Sequence, residues 1–288
     1  MADMQGKTVL ITGATNGIGR AAALALAKTG ATVAVAGRDE GRVGRTVAML
    51  REASGNEAVS GLLADLSTQA GVRKLAADFR RTHTRLDVLL NNAGASFRER
   101  AETVDGLERT FALNHMAYFL LTYLLLDLLQ RSAPARVVNV SSEAHRRLKA
   151  FDFDNIDGSR SWGLFGFAAY SQSKLANILF TRELARRLAG TGVTAGSMHP
   201  GMVNTGIFHQ AGGLPGALLR ALAPLLLKTP EQGADTLVWL TTAGEVAAVN
   251  GGYFIDRRRR EPSAAGRDDD AARRLWALSA ELCGLPVD

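Results

Sequence analysis

The sequence predicts an α/β chain with a doubly wound parallel sheet of about seven strands and helices on both faces. Three observations lead there. Short apolar, β-branched runs alternate with longer helical patterns from Thr8 to Met198; the first run passes straight into a glycine-rich turn and an alanine-rich helix; and no repeat or linker interrupts the 288 residues. With 47% hydrophobic residues the chain can build one large core, so residues 1–288 read as a single domain.

Each element has its own signal. Residues 8–11 form the first strand, because a continuous apolar or β-branched run suits a strand covered on both faces. Residues 12–19 then turn the chain, and a helix over 20–29 follows. Strands are expected at 32–36, 59–64, 86–91, 136–140, 193–198 and, shorter, 252–255. Helices are expected between them at 41–54, 71–82, 104–129, 170–188 and 231–242. Parallel neighbours need such crossovers, and their right-handedness places helices on both faces. Two segments break the alternation: an insert at 144–168, rich in arginine, aromatics and glycine, and a leucine-rich stretch at 207–230, read as a lid over a substrate pocket. Both exceed the usual connection of about 4–6 residues. The tail, 261–288, carries one amphipathic helix with Leu275, Trp276, Leu278 and Leu282.

Composition excludes several classes. Lys+Arg 34 against Asp+Glu 28 leaves +6, yet only Arg257 to Arg260 forms a basic run, and Asp268, Asp269 and Asp270 follow closely enough to neutralise it. That run reads as a solvated loop, and no nucleic-acid partner is expected. Cys283 is the single cysteine, so an internal disulfide or a cysteine metal site is excluded; a reducing, cytoplasmic location is the expectation. The histidines lack metal-ligand spacing, and no metal is expected. No signal peptide or run of about 18 apolar residues is present. The greasiest segment, 116–129, is broken by Thr122, Tyr123 and Asp127 and reads as a core helix rather than a transmembrane segment.

The chemistry lies at strand ends and helix starts. Gly13 and Gly17 allow a tight turn in which backbone N–H groups approach a diphosphate at a helix N-terminus, and Gly19 lets helix pack on strand. This placement is what a dinucleotide-binding, Rossmann-type fingerprint requires. Tyr170 and Lys174 stand at i and i+4, on one helix face. A free tyrosine has a pKa of about 10, and a neighbouring ammonium lowers it towards a useful acid/base.

The spacing G-x-x-x-G-x-G, Asp65-Leu66 after the third strand, Asn91-Asn92-Ala93-Gly94 after the fourth, Asn114 in the next helix, Ser141-Ser142 after the fifth, Tyr170-Ser171-Gln172-Ser173-Lys174, and Pro200-Gly201 after the sixth occur in order. Together they resemble the short-chain dehydrogenase/reductase superfamily over nearly the whole chain. The wide Ser142 to Tyr170 interval, the Ser141 to His145 stretch and Ser173 to Phe180 look like its retinol-dehydrogenase-like branch, which includes the WW-domain-containing oxidoreductases.

The resemblance implies hydride transfer between a nicotinamide and an alcohol or carbonyl. Tyr170 would be the general acid or base, Lys174 its activator and a ribose contact, Ser142 the group orienting the reacting oxygen, and Asn114 the anchor of a proton relay. It implies a cofactor cradle from Thr12, Gly13, Thr15, Asn16, Gly17, Ile18 and Gly19, with Asp65 and Leu66 beside the adenine. Asn91, Ala93, Gly94, Pro200, Gly201, Val203 and Thr205 complete it. Gly37 stands where NAD-dependent relatives carry an acid, and Arg38 follows, which favours NADP(H) over NAD(H); Asp39 keeps NAD as the alternative. The expected substrate is a small hydrophobic alcohol, aldehyde or ketone, secondary metabolites included, with His145, Phe208 and Leu214 as candidate contacts. A non-catalytic dinucleotide-sensing protein is the other alternative, against which the full Asn-Ser-Tyr-Lys set argues. The resemblance also implies a homodimer paired through the helices of Asn114 and Tyr170.

Overall fold

The computed structural model describes residues 3–203, 227–244 and 250–287. The first half of the chain runs β1 (Thr8–Thr12), α1 (Gly17–Ala27), β2 (Thr32–Gly37), α2 (Glu40–Ser54), β3 (Val59–Leu63), α3 (Gln69–Thr82), β4 (Val88–Asn91) and α4 (Arg109–Arg131). The second half runs β5 (Ala135–Val140), α5 (Phe167–Arg187), β6 (Val193–Met198), α6 (Pro230–Thr242), β7 (Tyr253–Ile255), β8 (Arg258–Arg260) and α7 (Asp269–Leu282).

These strands form one eight-stranded sheet in the order β3-β2-β1-β4-β5-β6-β7-β8, parallel except for β7 with β8. Side chains alternate between its faces: Leu10, Leu89 and Val137 enter the core under α3, α4, α5 and α7, whereas Val9, Ile11, Val88 and Val138 enter the core under α1 and α6. The winding reverses between β1 and β4, whose C-terminal ends therefore flank a crevice, the usual ligand site of such sheets.

Three expectations are corrected here. The sheet has eight strands rather than seven, because Arg258–Arg260 pairs antiparallel with β7 instead of forming a loop; Asp256 and Arg257 make the turn with φ of 51° and 57°. The side chains of β8 stay exposed. The aspartates thought to neutralise this run do other work: Asp268 accepts the Ala271 amide to cap α7, Asp269 pairs with Arg182 at 2.7 Å, and Asp270 pairs with Arg273. Finally, α4 begins at Arg109 rather than 104. Glu108 caps it by accepting the Thr110 and Phe111 amides at 2.6 and 2.8 Å, and Val104 is exposed in the preceding turn.

α4 is long and apolar enough to cross a membrane, but 72% of its most apolar stretch is buried inside the protein. Part of that cover is α7. Trp276 packs edge-on against Phe119 of α4 at 5.0 Å and stacks on Phe180 of α5 at 5.9 Å, while Arg187 lies over its indole. The tail thus covers apolar surface on the two helices through which the resemblance implies pairing.

One buried charge ties the base of the sheet. Asp87 accepts the Thr8 amide at 2.9 Å, the Lys7 ammonium at 3.0 Å and two Arg85 N–H groups at 2.6 and 2.8 Å. Burial pushes its carboxyl up, but these donors outweigh burial and hold it below the ordinary carboxylate value. A depressed native pKa stabilises the fold above about pH 4, the unfolded value, and that contribution fades as pH falls through the native one. Asp87→Asn is expected to lower stability by about 1–3 kcal/mol at neutral pH. It should also flatten the acid side of a Tm-against-pH curve, where an unaltered curve would contradict this account.

Candidate active site

The glycine turn between β1 and α1 is built for close backbone approach. Gly13 has φ +66°, and a Cβ there would lie 2.7 Å from Cα of Ala93; a Cβ on Gly19 would lie 2.4 Å from Nδ2 of Asn92 and 2.6 Å from the Gly13 carbonyl. Gly17 also has a positive φ, 51°. Asn16 provides no side-chain cap to α1, and no acidic residue occupies its first turn, so its leading N–H groups and dipole face the turn unopposed. Thr15 lines the turn beside Gly37, and Ile18 and Val203 both lie beside Gly233. This cradle of bare backbone at a helix N-terminus fits the diphosphate of a dinucleotide.

Some expected cofactor residues turn out to be braces. The Thr12 hydroxyl accepts the Asn92 and Ala93 amides at 3.0 and 3.1 Å, tying β1 to β4. Asn91 is fully buried and donates to Thr122 and Asn139 at 3.1 and 2.9 Å, within the sheet and α4. Leu66 joins the core. Asp65 remains exposed, with one oxygen accepting the Ser67 amide and hydroxyl. The residue missed from the sequence is Asn92, whose amide donates to the Thr12 and Gly13 carbonyls at 2.9 and 3.1 Å and so clamps the glycine turn. Strand alternation is the signal that finds it: with Asn91 facing inward, its neighbour faces the other way.

Beyond Gly94 the chain meets the acid/base cluster. A Cβ on Gly94 would sit 3.1 Å from Oδ1 of Asn114 and 3.3 Å from Nζ of Lys174. Asn114 lies in a π-turn, Ala112–Met116, within α4, the kind of local defect that often marks functional positions. Its amide exchanges two 2.9 Å bonds with the Ala95 backbone and donates to the Ser173 hydroxyl at 3.0 Å. Lys174 donates to the Val140 carbonyl at 3.0 Å, and Ser141 donates to the Lys174 carbonyl at 2.7 Å, locking α5 to the end of β5. Ser142, 28 residues from Tyr170 in sequence, bears on the Tyr170 phenol and favours its ionised form. All four members of the expected set are thus brought together at the C-terminal sheet edge.

Burial dominates the electrostatics. It pushes the Tyr170 phenol above its ordinary value, with the Ser142 hydrogen bond opposing, and pushes Lys174 down to about 7. The expected depression of the tyrosine by the lysine is therefore not realised in the free chain, where burial works against the lysine charge and Lys174 is not among the groups that shift Tyr170.

His145 is corrected as a substrate contact. Its ring is fully buried, Nδ1 lies 2.6 Å from the Ser142 carbonyl, and Nε2 accepts the Ser263 amide at 3.1 Å, so both nitrogens are engaged within the chain. Pro200 and Gly201 follow β6, where Gly201 has φ +88° against the Lys228 side chain, and Val203 is buried and bridges to Lys228. Thr205, Phe208, Leu214 and most of the 207–230 lid lie outside the described residues.

Comparison with known proteins places the chain in a family. The family model for short chain dehydrogenase matches residues 7–151 and 158–212. The chain is 40% identical to human retinol dehydrogenase 11 over 285 residues, covering 99% of this chain and 88% of that protein. It is 43% identical to bovine dehydrogenase/reductase SDR family member 13 over 287 residues, covering 99% and 75%. A crystal structure of an uncharacterized protein from Mycobacterium paratuberculosis superposes with a TM-score of 0.80 at 30% identity, covering 100% of this chain and 97% of that one. The Pseudomonas aeruginosa RhlG/NADP active-site complex does so at 0.71 and 30%, covering 88% and 95%. With its family model, its relatives and its assembled strand-end cluster in agreement, the chain belongs to the short-chain dehydrogenase/reductase family, in the retinol-dehydrogenase-like branch, and is an alcohol/carbonyl oxidoreductase.

Proposed function

We propose that the chain is an NADP(H)-dependent oxidoreductase acting on a hydrophobic alcohol, aldehyde or ketone, in the manner of a carbonyl reductase. One observation carries the cofactor preference. A Cβ on Gly37 would lie 2.7 Å from Thr15 and 2.9 Å from Val43, so an NAD-selecting acid fits this seat only if both side chains move. Asp39, the alternative acid, accepts the Arg42 amide at 2.8 Å and caps α2. Arg38 is exposed with no hydrogen bond or ion pair among the described residues, leaving its guanidinium free for a 2′-phosphate. The RhlG neighbour is an NADP complex, which supports the same reading.

When bound, the nicotinamide supplies or accepts the hydride. The chain's own groups handle the proton: in reduction the substrate oxygen takes it from Oη of Tyr170, and in oxidation the Tyr170 phenolate takes it from the substrate hydroxyl. Ser142 donates to the same oxygen and orients it, Lys174 as ammonium favours the phenolate, and Asn114 holds the Ala95 and Ser173 positions around them. The preference for an apolar substrate rests on Leu164, Phe165, Phe167 and Met202, exposed apolar side chains on the insert and the β6 loop; Phe167 lies 6.0 Å from the Tyr170 ring.

Arg38→Asp is expected to move the NADPH/NADH ratio of kcat/KM towards NADH by about 10–100-fold, the worth of a charge-assisted phosphate contact of roughly 1.5–3 kcal/mol. An unchanged ratio would remove the argument for NADP. A cytoplasmic location belongs to the same proposal and is tested by fractionating cells that express the chain.

A further inference from the structure

Lys174 is 3% exposed, yet the reaction proposed above needs it charged. Among the described residues its ammonium has one hydrogen bond, to the Val140 carbonyl of β5 at 3.0 Å. The groups facing it are few. Tyr170 comes from its own helix, with the ring centre 5.7 Å from Nζ; Tyr118 comes from α4, with its ring centre at 5.8 Å; the Gly94 backbone passes beside Asn114, a neutral amide. Among the described residues no carboxylate acts on it, and burial is the cause that displaces its pKa, to about 7. Burial thus works against the charge, so a neighbouring group that stabilises an ammonium bears directly on the proton-transfer pair.

Tyr118 stands one turn after Asn114, on the same face of α4. It is fully buried, its phenol is held far above its ordinary value and so stays neutral, and its hydroxyl has no hydrogen-bond partner among the described residues. What it presents to Lys174 is a ring. An aromatic face carries negative quadrupole potential and attracts an ammonium within about 6 Å, most strongly where water is excluded. We propose that Tyr118 is a positioning residue of the proton-transfer pair, whose ring holds Lys174 in its ammonium form and thereby keeps Tyr170 within reach of proton exchange.

The unpartnered hydroxyl makes the test clean. Tyr118→Phe deletes it without breaking a hydrogen bond and keeps the ring; Tyr118→Leu and the longer, more flexible Tyr118→Met remove the ring, so one can replace the other if folding suffers. The chain has six lysines, few enough for ¹³Cε-lysine NMR of the full, cofactor-free protein, with Lys174→Met to assign the signal. Lys174 is expected to titrate near 7 in the parent protein, within a few tenths of that in Tyr118→Phe, and about one unit lower in Tyr118→Leu or Tyr118→Met. An upward shift or no shift on losing the ring, or a Phe variant that shifts as far as Leu, overturns the proposal. The inference rests on the proton-transfer roles given above, but this titration needs neither cofactor nor substrate, so the two fail separately. Where turnover is measured, the acid limb of alcohol oxidation moves to higher pH in the Leu variant with KM little changed, which a merely structural role would not produce.

Discussion

Tyr170→Phe should lower turnover by about 10²–10⁴-fold, the range a positioned general acid contributes, while NADPH binding changes little. The prediction follows from how little else the hydroxyl does. Ser142 is the side chain that bears on the phenol, and the ring's packing against Phe167 survives in phenylalanine, so the fold has no reason to respond. The measurement pairs NADPH fluorescence titration with a panel of alcohols and carbonyls, and a variant turning over like the parent would sink the assigned proton transfer. Loss of both binding and turnover would instead indicate a damaged site.

Gly19→Ala carries the second large effect. Its new methyl would meet the Asn92 amide at 2.4 Å and the Gly13 carbonyl at 2.6 Å, and the second of these is backbone that cannot rotate away. Asn92 is the clamp on the glycine turn, so relief of the clash spreads the cradle itself. Overpacking of this kind costs about 1–3 kcal/mol, and where it deforms a binding surface it weakens NADPH by roughly 10–100-fold. Gly44→Ala is the control, since nothing lies within 4 Å of a Cβ there and helical alanine is favoured over glycine. Equal NADPH affinities for the two variants would refute the role given to the turn.

The site was legible where chemistry follows local geometry. Tyr170 and Lys174 share a face because a helix turns every 3.6 residues, and a glycine turn between strand and helix advertises its purpose by position. Legibility ended where a side chain's direction depended on partners distant in sequence. Asn91 and Asn92 are identical in type and adjacent, yet one braces the sheet through Thr122 and Asn139 and the other clamps the cradle. His145 lies three residues from Ser142, but the Ser263 amide, 118 residues away in sequence, takes its outer nitrogen. Arg258–Arg260 lacks any apolar signal for a strand, since an exposed edge needs none; backbone pairing with β7 makes it one.

The sequence by itself determined seven strands of the sheet and their crossovers, because apolar periodicity and glycine placement are local constraints that the backbone must obey, and its resemblance to a family singled out the candidate acid/base set. Tertiary structure decided the electrostatic surroundings of that set. Burial beneath α4 and α5 brings Lys174 to about 7 and lifts Tyr170, since the free energy of a charge depends on the medium that surrounds it, and no spacing along the chain records that medium.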